Sequence, residues 1–325
     1  MRKKFTPENI RKLKENEFFV FGSNMNGNHA GGAAKIAVKI FGATEGVGEG
    51  IQGQSYAIPT LNEDMQKATE ADLRGAILRF IDFAIENKNK TFYVTKIGCG
   101  IAGFEVPEVA KHFVDSKLAK NVILPKEFWG IIKDMDVTTY KGFNKDFSCR
   151  NYKYEIGKEY KDNGAIRCGN KGFHSCRYPL NIFDYYTPDS RFAETYPSGD
   201  VDSCKDDTKI ASSILKIGAE INIKSLTEAA VKFVFERAKW SNKDRATGYQ
   251  GAASATGDRG IACGLGIESK AKASLGNWIV LSEWEYNDSE RKYERIDVKS
   301  TKVDGEFIKT DTWYMLKGGK FVEVE

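Results

Sequence analysis

The sequence predicts an α/β protein of two domains. Residues 1–135 read as a mixed sheet with flanking helices, and residues 136–325 as a β-rich α+β domain. Three observations carry this. Strand-like apolar runs alternate with helical periodicity through the first third of the chain. From Lys133 to Val137 onward the character changes to short strand-like pieces rich in aromatics, such as Tyr140, Phe143, Phe147, Tyr152, Tyr154 and Tyr160. Between residues 248 and 276 small residues recur every nine positions.

The elements follow in order. Thr6-Pro7-Glu8 predicts a helix start, with a capping hydroxyl and proline in the first turn, ending near Asn16. Residues 17–22 predict a buried strand. A glycine-rich loop leads into a helix over 30–41 whose apolar positions are Ala33, Ile36, Ala37, Ile40 and Phe41. After a glycine-rich excursion over 42–54, a strand is predicted at 55–58. A helix over about 69–87 carries Leu73, Ile77, Phe80, Ile81, Ala84 and Ile85 as a core-facing stripe. A strand at 91–97, a second glycine loop, a helix at 106–117 and a strand at 121–124 complete the alternation. Such alternation predicts a mostly parallel sheet that binds ligands at the strand C-termini. In the second half, Ser225 and Glu228 form a capping box for a helix from Leu226 to Trp240. Strands are expected at Trp278–Leu281 and from Lys302 to Val324, with turns at Asp304-Gly305 and Gly318-Gly319.

The repeat reads Gly248-Tyr-Gln-Gly251-Ala-Ala253, Gly257-Asp-Arg-Gly260-Ile-Ala262 and Gly266-Ile-Glu-Ser269-Lys-Ala271. Small residues at fixed positions let successive coils stack closely, so the segment predicts a short β-solenoid of three coils with Ala253, Ala262 and Ala271 at one angular position. Calcium-binding aspartates are missing from it. Its pattern is similar to trimeric-autotransporter head repeats, which implies stacking on the rest of the domain or on copies in a homo-oligomer.

Composition narrows the function classes. Charged residues are 29% and hydrophobic residues 41%, the balance of a water-soluble globular chain. No apolar run approaches a membrane span, and basic Met1-Arg2-Lys3-Lys4 lacks the apolar stretch of a secretory signal. A cytoplasmic protein without membrane association is expected. Six cysteines without paired spacing and three histidines read as reduced thiols, with no metal site and no cofactor. A net charge of +4 suits a small anionic ligand and gives no argument for nucleic acid.

The chemistry concentrates in two loops, each between a strand and a helix. The first runs from Phe21-Gly22-Ser23 to Lys35, the second from Ile97 to Phe104. Glycine lets backbone N–H groups approach an anion closely, and a helix N-terminus adds its own donors. No G-x-x-x-x-G-K-[ST] is present. Gly98, Gly100 and Gly103 have dinucleotide-fingerprint spacing, but no ribose-reading acid follows about twenty residues on. The ligand-binding candidates are Ser23, Asn24, Asn26, His29, Ala30, Gly31, Gly32 and Ala33 in the first loop. In the second they are Gly98, Cys99, Gly100, Ile101, Ala102, Gly103 and Phe104. Asn24 and Asn26 are set either to bond a ribose or to cap the next helix. His29 is either a ligand contact or an exposed loop residue. Cys99 has no evident base to form a thiolate and reads as a small filler. Phe104 either stacks on a base or fills core, and Phe128 and Trp129 are weaker adenine-shelf candidates.

These residues carry a resemblance. Gly31-Gly32-Ala33-Ala34, opening a helix that ends Ile40-Phe41-Gly42, resembles the first ligand loop of macrodomains. Lys96-Ile97-Gly98-Cys99-Gly100-Ile101 resembles their second, diphosphate-wrapping loop, in the form of the terminal ADP-ribose glycohydrolase and antitoxin branch. Gly53-Gln54-Ser55-Tyr56-Ala57-Ile58-Pro59-Thr60 adds a match to bacteriophage macro-like proteins. The resemblance covers roughly residues 17–130 and implies a pocket for an ADP-ribose-class, NAD-derived nucleotide. It also implies residence in a host cytoplasm and a phage anti-defence role by sequestering a signal nucleotide. The glycohydrolase branch has a lysine where this chain has Thr60-Leu61, and an acid where it has Ala102; Lys67 and Glu105 are the nearest substitutes. The Gly-Asp-Ile start that reads adenine is also absent. Binding is therefore favoured over catalysis. The alternatives are an ADP-ribosyl or signal-nucleotide hydrolase, and a structural phage accessory protein with a vestigial pocket. In the second half, Gly172-Phe173-His174-Ser175-Cys176 with Tyr140, Tyr185 and Tyr186 is similar to ADP-ribosyltransferase strands, a buried structural histidine being the alternative.

Overall fold

The computed structural model describes residues 4–150, 152–204, 207–238, 252–255, 261–288 and 292–324. They form a mixed α/β structure with several sheets and few helices, in two compact units, 1–239 and 240–325. The expected boundary at 135/136 falls inside the first unit, between its two sheets.

The first sheet is built from β1 (Glu17–Asn24), β2 (Gly50–Gln52), β3 (Ser55–Leu61), β4 (Thr91–Val94) and β5 (Val122–Ile123), in the order β2-β3-β1-β4-β5. β1 runs parallel to both β3 and β4, β4 runs parallel to β5, and β2 alone is antiparallel to its neighbour. Side-chain alternation along β1 feeds two layers. Phe18 and Val20 join Leu73, Ile77, Phe80 and Ile81 of helix α2 (Glu70–Glu86) on one face. Phe19 and Phe21 join Ala34, Ala37 and Phe41 of helix α1 (Gly32–Phe41) on the other. Seven consecutive buried residues in β3 fit a strand covered on both faces.

The predicted helix at 6–16 does not form. Thr6 donates its N–H to the Leu124 carbonyl at 2.9 Å and its hydroxyl to the Ile123 carbonyl at 2.7 Å, so the segment is tied along β5. Ile10 is buried in the α1 layer. The helix expected at 106–117 divides into α3 (Val106–Ala110) and a 3₁₀ segment, Lys111–Leu118. A further short helix, α4 (Lys126–Ile132), follows β5 and buries Phe128 and Ile132.

The second sheet belongs to the same unit. Its strands are β6 (Thr139–Phe143), β9 (Glu159–Lys161), β10 (Phe173–Cys176), β11 (Arg191–Ser203) and β12 (Lys209–Ile221), in the order β10-β6-β11-β12-β9, all pairings antiparallel. β7 (Ser148–Cys149) and β8 (Tyr152–Lys153) form a small ribbon beside it. Helix α5 (Ile223–Arg237) starts three residues earlier than expected. Its cap is Asn222, whose side chain accepts the Ser225 N–H at 2.9 Å, in place of the Ser225–Glu228 box. The two sheets share core: Val201 and Ile210 sit in the α2 cluster. Asp82 of α2 pairs with Arg177 at 2.9 Å and Arg237 at 2.7 Å, and Arg79 donates to the carbonyls of Arg237 and Ala238. The expectation of reduced thiols throughout is corrected: Cys168 and Cys204 form a disulfide, their Cα atoms 5.3 Å apart.

In the second unit, β13 (Ala252–Ala255), β14 (Ile261–Gly264) and β15 (Lys270–Ala273) recur at nine-residue spacing. Residues 248–251 and 256–260 of the repeat lie outside the described residues. The three alanines face one core with Ile279, Leu281 and Tyr314, but they do not share one angular position. β13 pairs in parallel with β15, Ala253 opposite Ala271, whereas β14 pairs in parallel with β16 (Trp278–Asn287), Ala262 opposite Ile279. Successive repeats therefore alternate between two sheets. β17 (Lys292–Lys302) completes one sheet; β18 (Tyr314–Lys317) and β19 (Lys320–Glu323) complete the other, around the predicted Gly318-Gly319 turn. The Asp304 turn closes by accepting the N–H groups of Glu306, Phe307 and Ile308, each at 2.9 Å.

Ala271 is fully buried between the two sheets, so Ala271→Leu overpacks a site with no slack. A stability loss of about 1–3 kcal/mol is expected on denaturant unfolding of the second unit; an unchanged midpoint would mean the interior is loose. A second outcome concerns pH. Burial holds the imidazoles of His112 and His174 down at about 4. The unfolded chain takes up those protons first, so stability present at neutral pH is lost as pH falls from about 6.5 towards 4. Melting temperature should drop across that window, and His112→Gln should flatten the drop. An identical slope in the variant would show that His112 is not buried neutral.

Candidate functional site

The two glycine loops leave the C-terminal ends of adjacent parallel strands. From β1 the chain passes through α1 to β2 and β3 on one side; from β4 it passes through α3 to β5 on the other. β1 and β4 thus border a topological switch point, where open α/β sheets leave a crevice beyond the strand ends. The loops approach closely because side chains are missing. A Cβ on Gly22 would come within 3.2 Å of the Gly98 nitrogen, and one on Gly31 within 3.0 Å of Ile101 Cδ1. Gly32, Gly98 and Gly103 have φ of +56°, +71° and +69°, values that a side chain makes costly.

Hydrogen-bond accounting identifies what the loops offer. The N–H groups of Met25, Gly27, Asn28 and His29 are satisfied within the first loop and its neighbours. Gly103 and Phe104 donate back to the carbonyls of Gly100 and Gly98. Among the described residues, no partner meets the N–H groups of Gly100, Ile101 or Ala102. Helix α1 adds to them: its cap, Gly31, supplies no side-chain acceptor, and no acid occupies its first turn. Its orphan donors and the positive end of its dipole are therefore uncompensated. Ala30, Gly32, Gly100, Ile101 and Gly103 are exposed around this opening, Ile101 at 76%.

The remaining sequence-predicted residues hold the loops rather than line the opening. Ser23 donates to the Gly48 carbonyl. Asn24 clamps Asn28, accepting its N–H at 3.1 Å and donating to its carbonyl. Asn26 donates to the Glu63 carbonyl at 2.6 Å. His29 is 1% exposed, edge-on to Phe21 with 5.2 Å between centroids, and neither ring nitrogen has a partner among the described residues. Ala33 is half-buried against the α1 layer, and Ala102 and Phe104 belong to the α2 core. The Cys99 thiol is pushed up by burial, consistent with a filler. Phe128 is fully buried and Trp129 half-buried.

The reading of residue types missed how Lys67 arrives. Asn62 accepts the N–H groups of Asp64 and Gln66, folding a turn that pairs Lys67 with Leu61. That turn chemistry was visible in the Asn62-Glu63-Asp64 run. Lys67 Nζ lies 3.4 Å from the Gly103 carbonyl, 4.2 Å from the Phe104 ring centre and 3.1 Å from Glu108. Glu108 also accepts the Glu105 N–H at 2.6 Å, and these two donors hold its carboxyl below the ordinary range. Tyr140, His174, Cys176, Tyr185 and Tyr186 line a separate cavity on the second sheet.

Residues 137–229, which span that second sheet and the start of α5, match the model of a family described as a domain of unknown function (DUF7666). No curated protein and no solved structure matches the chain.

Proposed function

We propose that the protein binds an ADP-ribose-class, NAD-derived nucleotide at the switch point of its first sheet, with the diphosphate between the two glycine loops. The observation that carries this is the pairing of three consecutive unbonded N–H groups, Gly100 to Ala102, with the uncapped first turn of α1 on the adjacent loop. Backbone donors of this kind complement anionic oxygens such as those of a diphosphate. On this reading the first sheet is macrodomain-like, and the short strands at nine-residue spacing in the second unit are a short solenoid suited to assembly. Sequestration of a signal nucleotide, as in phage anti-defence, is the concrete role.

One observation favours a second reading. Lys67 and Glu108 put an amine and a carboxylate at 3.1 Å from each other beside the second loop, the types of group that hydrolysis of an ADP-ribosyl bond would need.

Gly100 is the clean probe. A Cβ there meets nothing within 4 Å, and its φ is not left-handed, whereas Gly32 at +56° would be strained by any side chain. Gly100→Val should lower ADP-ribose affinity at least ten-fold by calorimetry while leaving the melting temperature unchanged. Undiminished affinity would put the site elsewhere. The two readings separate on incubation with ADP-ribosylated peptide and with cyclic ADP-ribose, followed by chromatography. Intact ligand is expected; multiple turnover that disappears in Lys67→Ala would establish the hydrolase.

A further inference from the structure

The second sheet holds a cavity of about 340 Å³, within the range of small-molecule sites. Its floor is Lys141 of β6, only 5% exposed. The ammonium sits 3.5 Å from Cys149 Sγ and 5.4–5.9 Å from the ring centres of Phe143, Tyr154 and Tyr186. The same thiol accepts the Tyr186 hydroxyl at 2.9 Å. Among the described residues no carboxylate pairs with Lys141, and burial pulls its pKa down. A buried ammonium normally has a counter-charge, because desolvation is costly and aromatic faces and a thiol offset it only in part.

The surroundings do not supply that charge. Of the described ionisable side chains lining the cavity, Lys141, Arg150, Lys171 and Lys209 are cationic, Lys209 being paired with Asp207 at 3.8 Å, and Asp162 is a carboxylate. Asp162 is already engaged by the Gly164 N–H at 2.8 Å and by Lys171 at 3.6 Å. His174 adds no positive charge at neutral pH; its Nε2 accepts the Gly169 N–H at 3.0 Å. The walls are aromatic: Tyr140, Tyr152, Tyr154, Phe173, Tyr185 and Tyr186. The Tyr186 ring lies against the backbone at Gly142, where a Cβ would come within 2.4 Å of it.

We propose that this cavity is a second ligand site, for a small anion carried on a flat ring. The carboxylate or phosphate would pair with Lys141 beside Cys149, and the ring would lie among the tyrosines, with Arg150 at the mouth. The bound anion supplies the counter-charge that the protein leaves out, and the rings supply stacking surface. This site is independent of the glycine loops and does not rest on the nucleotide reading.

Calorimetry on the full chain tests it with 4-nitrophenyl phosphate and 4-nitrobenzoate, against uncharged nitrobenzene. At least one anion should bind and nitrobenzene should not, and the stronger of the two anions identifies the head group. Lys141→Met keeps the side-chain length without the charge and should weaken binding at least ten-fold with no loss of melting temperature. Gly142→Ala, whose Cβ would displace the Tyr186 ring from the cavity wall, should weaken it too. Gly100→Val should leave it unchanged, which separates this site from the loops. Absence of binding by both anions, or equal affinity in Lys141→Met, would overturn the proposal. Should Lys141→Met fail to fold, anion binding undiminished by Gly142→Ala would overturn it instead.

Discussion

The position of β1 governs the first sheet and what the sheet can do. In the strand order β2-β3-β1-β4-β5 the connections after β1 and β4 depart in opposite directions. Their loops must then open towards each other over the strand ends. The absent side chain of Gly22 lets the two backbones close, a Cβ there coming within 3.2 Å of the Gly98 nitrogen, and Gly31 leaves room for the Ile101 side chain. Three polar side chains of the first loop are spent on internal bonds, Ser23 to Gly48, Asn24 to Asn28 and Asn26 to Glu63. Donors remain on the backbone of Gly100 to Ala102 and the first turn of α1. A site made of N–H groups recognises oxygen-rich anions by shape and field, with no titrating group to gate it.

Helix α2 joins that sheet to the second one. Its inner stripe fills the core under β1, β3 and β4, and Val201 and Ile210 of the β11/β12 hairpin reach the same cluster. Its outer face carries Arg74, Arg79 and Asp82, which meet Glu236, the α5 terminal carbonyls, Arg177 and Arg237. Asp82 holds two guanidinium groups at once, and Arg237 lies also 3.5 Å from Asp115. Removal of such a carboxylate strands two cations in a half-buried seam, so the contact fixes the relation of the two sheets more than it adds stability.

Much of the first sheet was legible in the sequence because its signals are local. The α2 stripe, the β3 apolar run and the glycine loops all appear within a few residues of their expected positions. What failed depends on distant partners. Thr6-Pro7-Glu8 has the chemistry of a helix start, yet Thr6 is claimed by the carbonyls of Ile123 and Leu124. The Cys168–Cys204 bond joins residues 36 apart that no spacing rule connects. The nine-residue period was visible, but the same period fits stacking in one sheet or alternation between two, and only the pairing of Ala253 with Ala271 distinguishes them. In the candidate site, the glycines could be read directly. The burial of His29 and the approach of Lys67 Nζ to Phe104 and Glu108 could not. Lys141 gave no signal at all, since a lysine in an aromatic strand looks like any exposed lysine until the fold buries it.

The central claim is that backbone donors of two adjacent loops form the nucleotide site. A crystal structure of the protein grown with saturating ADP-ribose tests it most directly. Diphosphate oxygens are expected about 3 Å from the nitrogens of Gly100, Ile101 and Ala102, with the first turn of α1 on the other side. A nucleotide bound elsewhere, or loops left empty at saturating ligand, would contradict it.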